Sequence, residues 1–425
     1  MILLAYRAAV TLGKPFIDCV INKRCREGKE DPARIGERRG KPSRNRPKGS
    51  LIWIHAASLG ESLSVLPLIE LLHSRYKRCN FLITTGTVTS ANMLSKRLPK
   101  NVIHQFVPVD CPQWVDSFLD HWQPNFAMWV ESEFWPNLIK LTESRNIPMV
   151  LVNGRISPRS LQNWSRFPGT IASLLGGFKL CLAQSHTDMK NLKRLGAANV
   201  QMLGNLKYAS APLPADTQIV TELKASLADR PAWLAASTHP GEEEFIINTH
   251  KNLSNKIPKL LTIIAPRHPI RGELIAELAA NQGLTGQLRS RAKALRPNTD
   301  IYIADSIGEL GVFYRVAPVS FIGGSLIPHG GQNILEAAKL GSAVIFGPFT
   351  ENFNEITSEM VRTAAAVRID KPAALENAVY SLLIDASTRQ SQTDVAKKIV
   401  LDQMEILENI GDQLLPIVEI AIQEN

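Results

Sequence analysis

Gly323-Gly324-Ser325-Leu326-Ile327-Pro328-His329-Gly330-Gly331-Gln332-Asn333-Ile334-Leu335-Glu336 comes directly off an apolar, strand-like run and opens onto a helical pattern. Glycines let the backbone approach a ligand closely, and a helix start points N–H groups at negative charge. Glu336, about a turn further on, is placed to accept hydrogen bonds from ribose hydroxyls. The stretch reads as half of a nucleotide-sugar pocket. Alone, it is equally compatible with a glycine-rich turn in an ordinary α/β domain, so the flanking sequence has to decide.

Working outward, the same theme recurs: a short apolar run, a loop of small or polar residues, then a helical pattern. Upstream, the strand-like runs are Leu51 to His55, Phe81 to Thr85, Val102 to Val107, Phe126 to Val130, Met149 to Asn153 and Leu180 to Ala183. Downstream of a proline-containing stretch they are Ala232 to Ala236, Leu260 to Ala265, Ile301 to Ala304, Val319 to Gly323 and Ala343 to Phe346. Such alternation predicts an α/β fold with parallel sheets wrapped by helices. Two successive doubly wound units enclose an interdomain cleft, with ligands at the carboxyl ends of the strands. The expected organisation is an N-terminal segment over 1–48, a first Rossmann-like domain over 49–206, a linker over 207–216, a second Rossmann-like domain over 217–386 and a helical tail over 387–425. In two-lobe folds such a tail can cross back onto the first domain.

The 425 residues carry a formal charge of +9. Most of it is local: residues 22–48 hold eleven Lys or Arg against four acids, leaving the rest at +2. No aromatic residue stands in that stretch to stack bases, which argues against a nucleic-acid arm. Residues 1–21 are mostly apolar but contain Arg7, Lys14, Pro15 and Asp18, which suits neither a secretory signal nor a membrane span. They read as an interfacial anchor, with the basic segment behind it drawn to anionic headgroups. The other reading is a helix packed on its own domain. Five scattered cysteines without a C-x-x-C pair fit a reducing compartment and offer no zinc site.

Several strand-end loops carry chemistry. Glu61, in His55-Ala56-Ala57-Ser58-Leu59-Gly60-Glu61, falls in a first helical turn, either capping the helix or held as a general base. Glu131 and Glu133 follow the strand at Phe126 to Val130, ahead of Pro136 at an early helix position. In the second domain Ser237-Thr238-His239 ends a strand with hydroxyls where a phosphate docks. Arg267 is suited to clamp a phosphate bidentately, while His268 either bonds it or is simply a satisfied polar residue. Backbone groups of Gly308, Glu309 and Leu310 can edge a base. No D-x-D pair, P-loop, G-x-G-x-x-G fingerprint or G-x-S-x-G elbow occurs, which leaves no indication of metal-bridged diphosphate handling, ATP hydrolysis, dinucleotide binding or a serine hydrolase.

With these residues assembled, the chain resembles the 3-deoxy-D-manno-octulosonic acid (Kdo) transferases of lipopolysaccharide biosynthesis, which are GT-B glycosyltransferases with two Rossmann-like lobes. The matching pieces are Arg34-Ile35-Gly36-Glu37-Arg38, Ser58-Leu59-Gly60-Glu61, Glu131-Ser132-Glu133-Phe134-Trp135-Pro136-Asn137-Leu138-Ile139, Gly204-Asn205-Leu206-Lys207, Ser237-Thr238-His239, Pro266-Arg267-His268-Pro269, Gly308-Glu309-Leu310, Gly330 to Glu336, and Gly347-Pro348 with Asn352-Phe353. Leu59 stands where valine is usual and Phe134 where leucine is usual, without loss of a functional group.

The resemblance implies an inverting transfer of Kdo from CMP-Kdo to a lipid A precursor (lipid IVA). Glu61 would be the general base, with Glu131 and Lys207 assisting the transition state. The donor would bind through Ser237, Arg267, His268, Gly308, Glu309, Leu310, Gly331, Asn333, Ile334, Leu335 and Glu336. No metal and no cofactor are expected. Expected partners are CMP-Kdo, the lipid acceptor and an anionic membrane surface, with no nucleic acid, and the expected setting is a monomer at the cytoplasmic face of a bacterial inner membrane. The rival is a nucleotide-sugar 2-epimerase-like enzyme on the same fold, which has no use for a membrane-proximal basic segment.

Overall fold

The computed structural model describes residues 1–95, 97–99, 101–209, 212–292 and 294–423, without the side chain of Met404. Residues 210 and 211 of the expected linker and 424 and 425 of the expected tail lie outside the described residues. The chain divides into two compact units, Met1–Ser210 with Gln403–Asn425, and Ala211–Asp402.

The first unit holds β1 (Leu51–His55), β2 (Asn80–Thr85), β3 (Val102–Phe106), β4 (Phe126–Val130), β5 (Met149–Gly154), β6 (Phe178–Ala183) and β7 (Val200–Met202). They form one sheet in the order β3-β2-β1-β4-β5-β6-β7 with every neighbouring pair parallel. Helices cover both faces, which is why β1, β4 and β5 are buried along their whole length and read as unbroken apolar runs. Alternation divides them between two cores. Leu51, Trp53, Ala127 and Trp129 pack with Phe118 and Trp122 on one side, and Ile52, Ile54, Met128 and Val130 with Val65, Leu68 and Ile69 on the other. Ile406, Ile410, Leu414 and Val418, each four apart on the helix Ala386–Gln423, complete the second core.

The second unit holds β8 (Ala232–Thr238), β9 (Leu261–Pro266), β10 (Gly286–Leu288), β11 (Ile301–Ile303), β12 (Val319–Ile322), β13 (Ala343–Phe346) and β14 (Ala366–Arg368). Its sheet runs β10-β11-β9-β8-β12-β13-β14, again all parallel. Both units are therefore doubly wound, Rossmann-like α/β sheets, as the alternation predicted.

The N-terminal residues form two helices, Ile2–Leu12 and Lys14–Arg26, broken at Gly13. No helix among the described residues is long and apolar enough to cross a membrane. One side of the pair packs on the first unit: Tyr6 donates to Asp110 at 3.0 Å, and Ile21 is buried with Cys111 and Trp114. The other side exposes Leu4, Leu12 and Phe16.

Several arginines of the basic segment are committed internally. Arg34 pairs with Glu37 and donates to the His104 carbonyl. Arg38 donates to the Val107 carbonyl, Arg39 pairs with Asp18, and Arg46 donates to the Trp122 carbonyl. Guanidinium forks thus reach carbonyls near β3 and at the end of the helix Pro112–Trp122, and the carboxylates of Glu37 and Asp18. Glu37, itself buried, accepts the Phe106 N–H at 2.7 Å and so ties the segment to the end of β3.

Candidate functional site

In a doubly wound sheet the loops diverge where the strand order reverses, and that crevice takes ligands. In the first unit the reversal falls between β1 and β4. After β1, Ser58 caps the helix Leu59–Arg75 by accepting the Glu61 N–H. Glu61 reaches back, its carboxylate accepting from the Ala57 N–H at 2.8 Å and the Ser58 hydroxyl at 2.7 Å. This is a variant of the capping box, with the Ala57 N–H in place of the N-cap residue's own, so Glu61 does cap the helix. The same carboxylate is buried. Burial raises its pKa above the ordinary range and Glu131 and Glu133 add to that, while Ser58 and Ala57 pull the other way. Capping fixes the carboxylate, and burial makes it more basic.

After β4 the chain turns at once. Glu131 adopts the left-handed conformation (φ 62°) while its N–H still donates to the Val152 carbonyl of β5. A non-glycine residue held there is strained, and such residues cluster at functional sites. Lys207 Nζ lies 2.7 Å from Glu131 Oε1 in an ion pair outside hydrogen-bond geometry. Lys207 arrives on the turn Leu206–Tyr208, where Asn205 Oδ1 accepts its N–H. Glu133 accepts the Trp135 indole N–H at 2.6 Å and has a pKa raised by burial. The three residues expected to be catalytic, Glu61, Glu131 and Lys207, thus gather at the carboxyl edge of one sheet.

Sequence reasoning missed the groups that hold this loop. The helix Pro136–Ser144 has Trp135 at its N-cap, which cannot cap it. Asp110 does so from the loop after β3, accepting the Asn137 and Leu138 N–H groups at 3.0 and 2.7 Å. Burial pushes its pKa up to about 6, against those hydrogen bonds and that from Tyr6.

In the second unit the order reverses between β8 and β12. Here Gly323 permits a close backbone crossing, since a Cβ on it would fall 2.6 Å from the Ser237 carbonyl oxygen. A cavity of about 340 Å³ lies at these strand ends, with Ser237, Arg267, His268 and Ser306 among apolar walls of Ala265, Pro266, Ala304, Ile307, Leu310 and Phe313. Ser237, near the end of β8, is also left-handed (φ 54°). His239, beside His329 and His268 with ring centroids 4.0 and 6.3 Å away, has its pKa lowered to about 4 by burial and by these and nearby arginine charges. Gly308 takes a positive φ of 87°, and Glu309 pairs with Arg289 at 2.5 Å.

Two expectations for this unit change. The amides of Gly324, Ser325 and Leu326 do not wait for a ligand: the buried Glu242 carboxylate accepts all three, with the His239 N–H as a fourth. An internal carboxylate fills the nest, its four N–H donors opposing the burial that raises its pKa. Thr238, expected to offer its hydroxyl to a phosphate, turns it inward toward Glu243. Of the glycine-rich stretch, Ile334 and Leu335 are buried, Asn333 accepts the Leu335 N–H, and Gly331 donates to the Gly324 carbonyl. None of Gly331, Asn333, Ile334, Leu335 and Glu336 is among the residues lining the 340 Å³ cavity. Glu336 has its pKa raised by burial and opposed by Lys339, Asn333 and Arg267.

Two doubly wound sheets, one ending in paired carboxylates and a lysine and the other in a cavity with an arginine, a histidine and two serine hydroxyls, have the layout of the GT-B class, a fold that glycosyltransferases share with nucleotide-sugar 2-epimerases. Comparison with known proteins narrows this. A family model described as 3-deoxy-D-manno-octulosonic-acid transferase matches residues 33–210. The chain is 35% identical over 376 residues to the 3-deoxy-D-manno-octulosonic acid transferase of Rickettsia bellii, covering 88% of this chain and 90% of that one. It is 32% identical to that of Haemophilus influenzae, covering 97% and 98%. The solved structure of a glycosyltransferase from Rickettsia africae superposes with a TM-score of 0.58 at 13% identity, over 89% of this chain and all of that one, a likeness of fold. The chain belongs to the 3-deoxy-D-manno-octulosonic acid transferase family and is a glycosyltransferase. Family membership selects transfer over the epimerase reading, which fold alone does not.

Proposed function

We propose that the protein transfers Kdo from CMP-Kdo to a lipid A precursor with inversion at the anomeric carbon. Glu61 takes the proton of the acceptor hydroxyl as its oxygen bonds to that carbon. The bond from the anomeric carbon to phosphate oxygen breaks, and CMP departs with the electron pair. Charge develops as in glycoside hydrolysis, positive in the sugar and negative on the departing phosphate. Glu131 and Lys207 stabilise the transition state, and Arg267 supports the phosphate electrostatically, with no metal or cofactor. The cavity at Ser237, Arg267 and His268, with the neighbouring loops at 308–310 and 331–336, takes the nucleotide of the donor.

The observation that carries this reading is the convergence of Glu61, Glu131 and Lys207, with Glu61 buried, fixed by two donors and raised in pKa. Its test is transfer by Glu61→Gln, since glutamine keeps the side chain's shape and one acceptor oxygen for the cap while removing the base. A folded Glu61→Gln protein that still binds CMP and transfers at the wild-type rate excludes Glu61 as the base.

The same reading puts the enzyme on the cytoplasmic face of a bacterial inner membrane as a monomer. The exposed apolar side of the N-terminal helices, with Leu4, Leu12 and Phe16, supports an interfacial seat on an anionic surface.

A further inference from the structure

Glu131 is not the only residue in the left-handed region at the end of the first sheet. Asn153, near the end of the neighbouring β5, has φ 57° and is wholly buried. The ladder pairs Val130 with Val152, so Glu131 and Asn153 leave adjacent strands side by side, both turned the same way. Asparagine tolerates this conformation better than most residues, which by itself would explain its presence. Its side chain, however, reaches a distant segment: Oδ1 accepts the Leu206 N–H at 3.0 Å. Leu206 is the first residue of the turn that carries Lys207, and Lys207 returns to Glu131 at 2.7 Å. A closed circuit results, from β4 through the ladder to β5, across the Asn153 amide to the 206–208 turn, and back through the ion pair.

We infer that Asn153 is a positioning residue for Lys207, fixing the turn so that the ammonium stands against Glu131. The inference rests on the proposed transition-state role of Lys207 and Glu131. Buried polar atoms are seldom left without partners, so the single bond to Leu206 has no substitute if the side chain is removed. Among the described residues Asn153 Nδ2 has no hydrogen-bond partner, which leaves the Oδ1 contact as the side chain's one polar tie.

Asn153→Gly provides the test, because glycine keeps the left-handed backbone and deletes only the amide. Transfer is measured for Asn153→Gly, Lys207→Ala and the double variant, with CMP binding and thermal unfolding of each. The expected result is a kcat for Asn153→Gly lower by about 10- to 100-fold, in keeping with a small misplacement of a reacting group, with CMP affinity unchanged. The double variant should be no slower than Lys207→Ala alone. Wild-type kcat in Asn153→Gly would mean that asparagine serves only the backbone and would overturn the inference, as would effects that multiply in the double variant. Wild-type transfer by Lys207→Ala removes the underlying role of Lys207, and the inference falls with it. If Asn153→Gly does not fold, Asn153→Asp keeps the acceptor oxygen for the Leu206 N–H. Its kcat should stay well above that of Lys207→Ala, and a folded Asn153→Asp as slow as Lys207→Ala overturns the inference.

Discussion

Lys207 Nζ stands 2.7 Å from Glu131 Oε1, joining the turn after the last strand of the first sheet to the strained residue at the end of its central strand. The partners are unequally covered, with side-chain exposures of 34% for Lys207 and 11% for Glu131. Removing the lysine therefore strands a nearly buried carboxylate, which costs more than the pair itself contributes. Lys207→Met should slow transfer by at least about 10-fold and lower stability by about 1–3 kcal/mol, less than for a fully buried pair. Denaturant unfolding and steady-state kinetics on the same preparation check both parts.

The acid limb of the pH–rate profile should reflect Glu61. A base works only when deprotonated, and burial with Glu131 and Glu133 nearby raises its pKa. Activity should fall as pH drops through that raised value, so the limb lies above the range of an ordinary glutamate. Glu131→Gln, which removes one of the raising charges, should move the limb to lower pH.

Asp110 makes a separate statement about stability. Its folded pKa of about 6 lies above the ordinary value of 3.8. A group raised on folding contributes stability that is fully present below its unfolded pKa and is lost as pH rises through the folded one. Between about pH 4 and pH 6 the wild-type protein should therefore lose stability, by an upper bound of about 3 kcal/mol, that Asp110→Asn does not lose. Asparagine also disrupts the cap on Asn137 and Leu138, so the comparison is of slopes in thermal or denaturant unfolding across this window and not of absolute stability.

At the N-terminus, packing and exposure sit on opposite sides of the same two helices. Deleting residues 1–21 would remove Tyr6 and Ile21 along with the exposed face, mixing folding with attachment. Replacing Leu4, Leu12 and Phe16 together by serine spares those contacts. Binding to vesicles containing anionic lipid should fall by at least about 10-fold, since each buried side chain contributes roughly 1.5–3 kcal/mol, while transfer to a detergent-dispersed acceptor stays near wild type. Unchanged vesicle binding would remove these helices as the attachment site.

What was legible in the sequence depended on run length. Strands such as Leu51–His55 and Ala343–Phe346, buried on both faces, are written as unbroken apolar runs and were located to the residue. The strands Val200–Met202, Gly286–Leu288 and Ala366–Arg368, three residues each and toward sheet edges, carry no such run and were missed. The spacing of Ser58 and Glu61 displayed a cap and a candidate base without separating them, because one geometry serves both. Glu242 filling the nest at Gly324 to Leu326 had no sequence signal, since nothing local links a helix-start acid to a glycine-rich loop one strand away in space. The arginines of the basic segment looked like surface charge for the same reason: their acceptors are carbonyls on distant strands and helices. Asn153 had a faint signal, an asparagine followed by glycine at the end of an apolar run.

The most direct test of the account is transfer of labelled Kdo from CMP-Kdo, generated in place because the donor is labile, onto a tetraacylated lipid A precursor, with product mass resolved for wild type and Glu61→Gln side by side. The account predicts whole Kdo increments on the acceptor for the wild type and none for a Glu61→Gln protein that unfolds normally and still binds CMP. Wild-type protein that binds CMP but adds no Kdo, or a Glu61→Gln variant that adds it at the same rate, would contradict it.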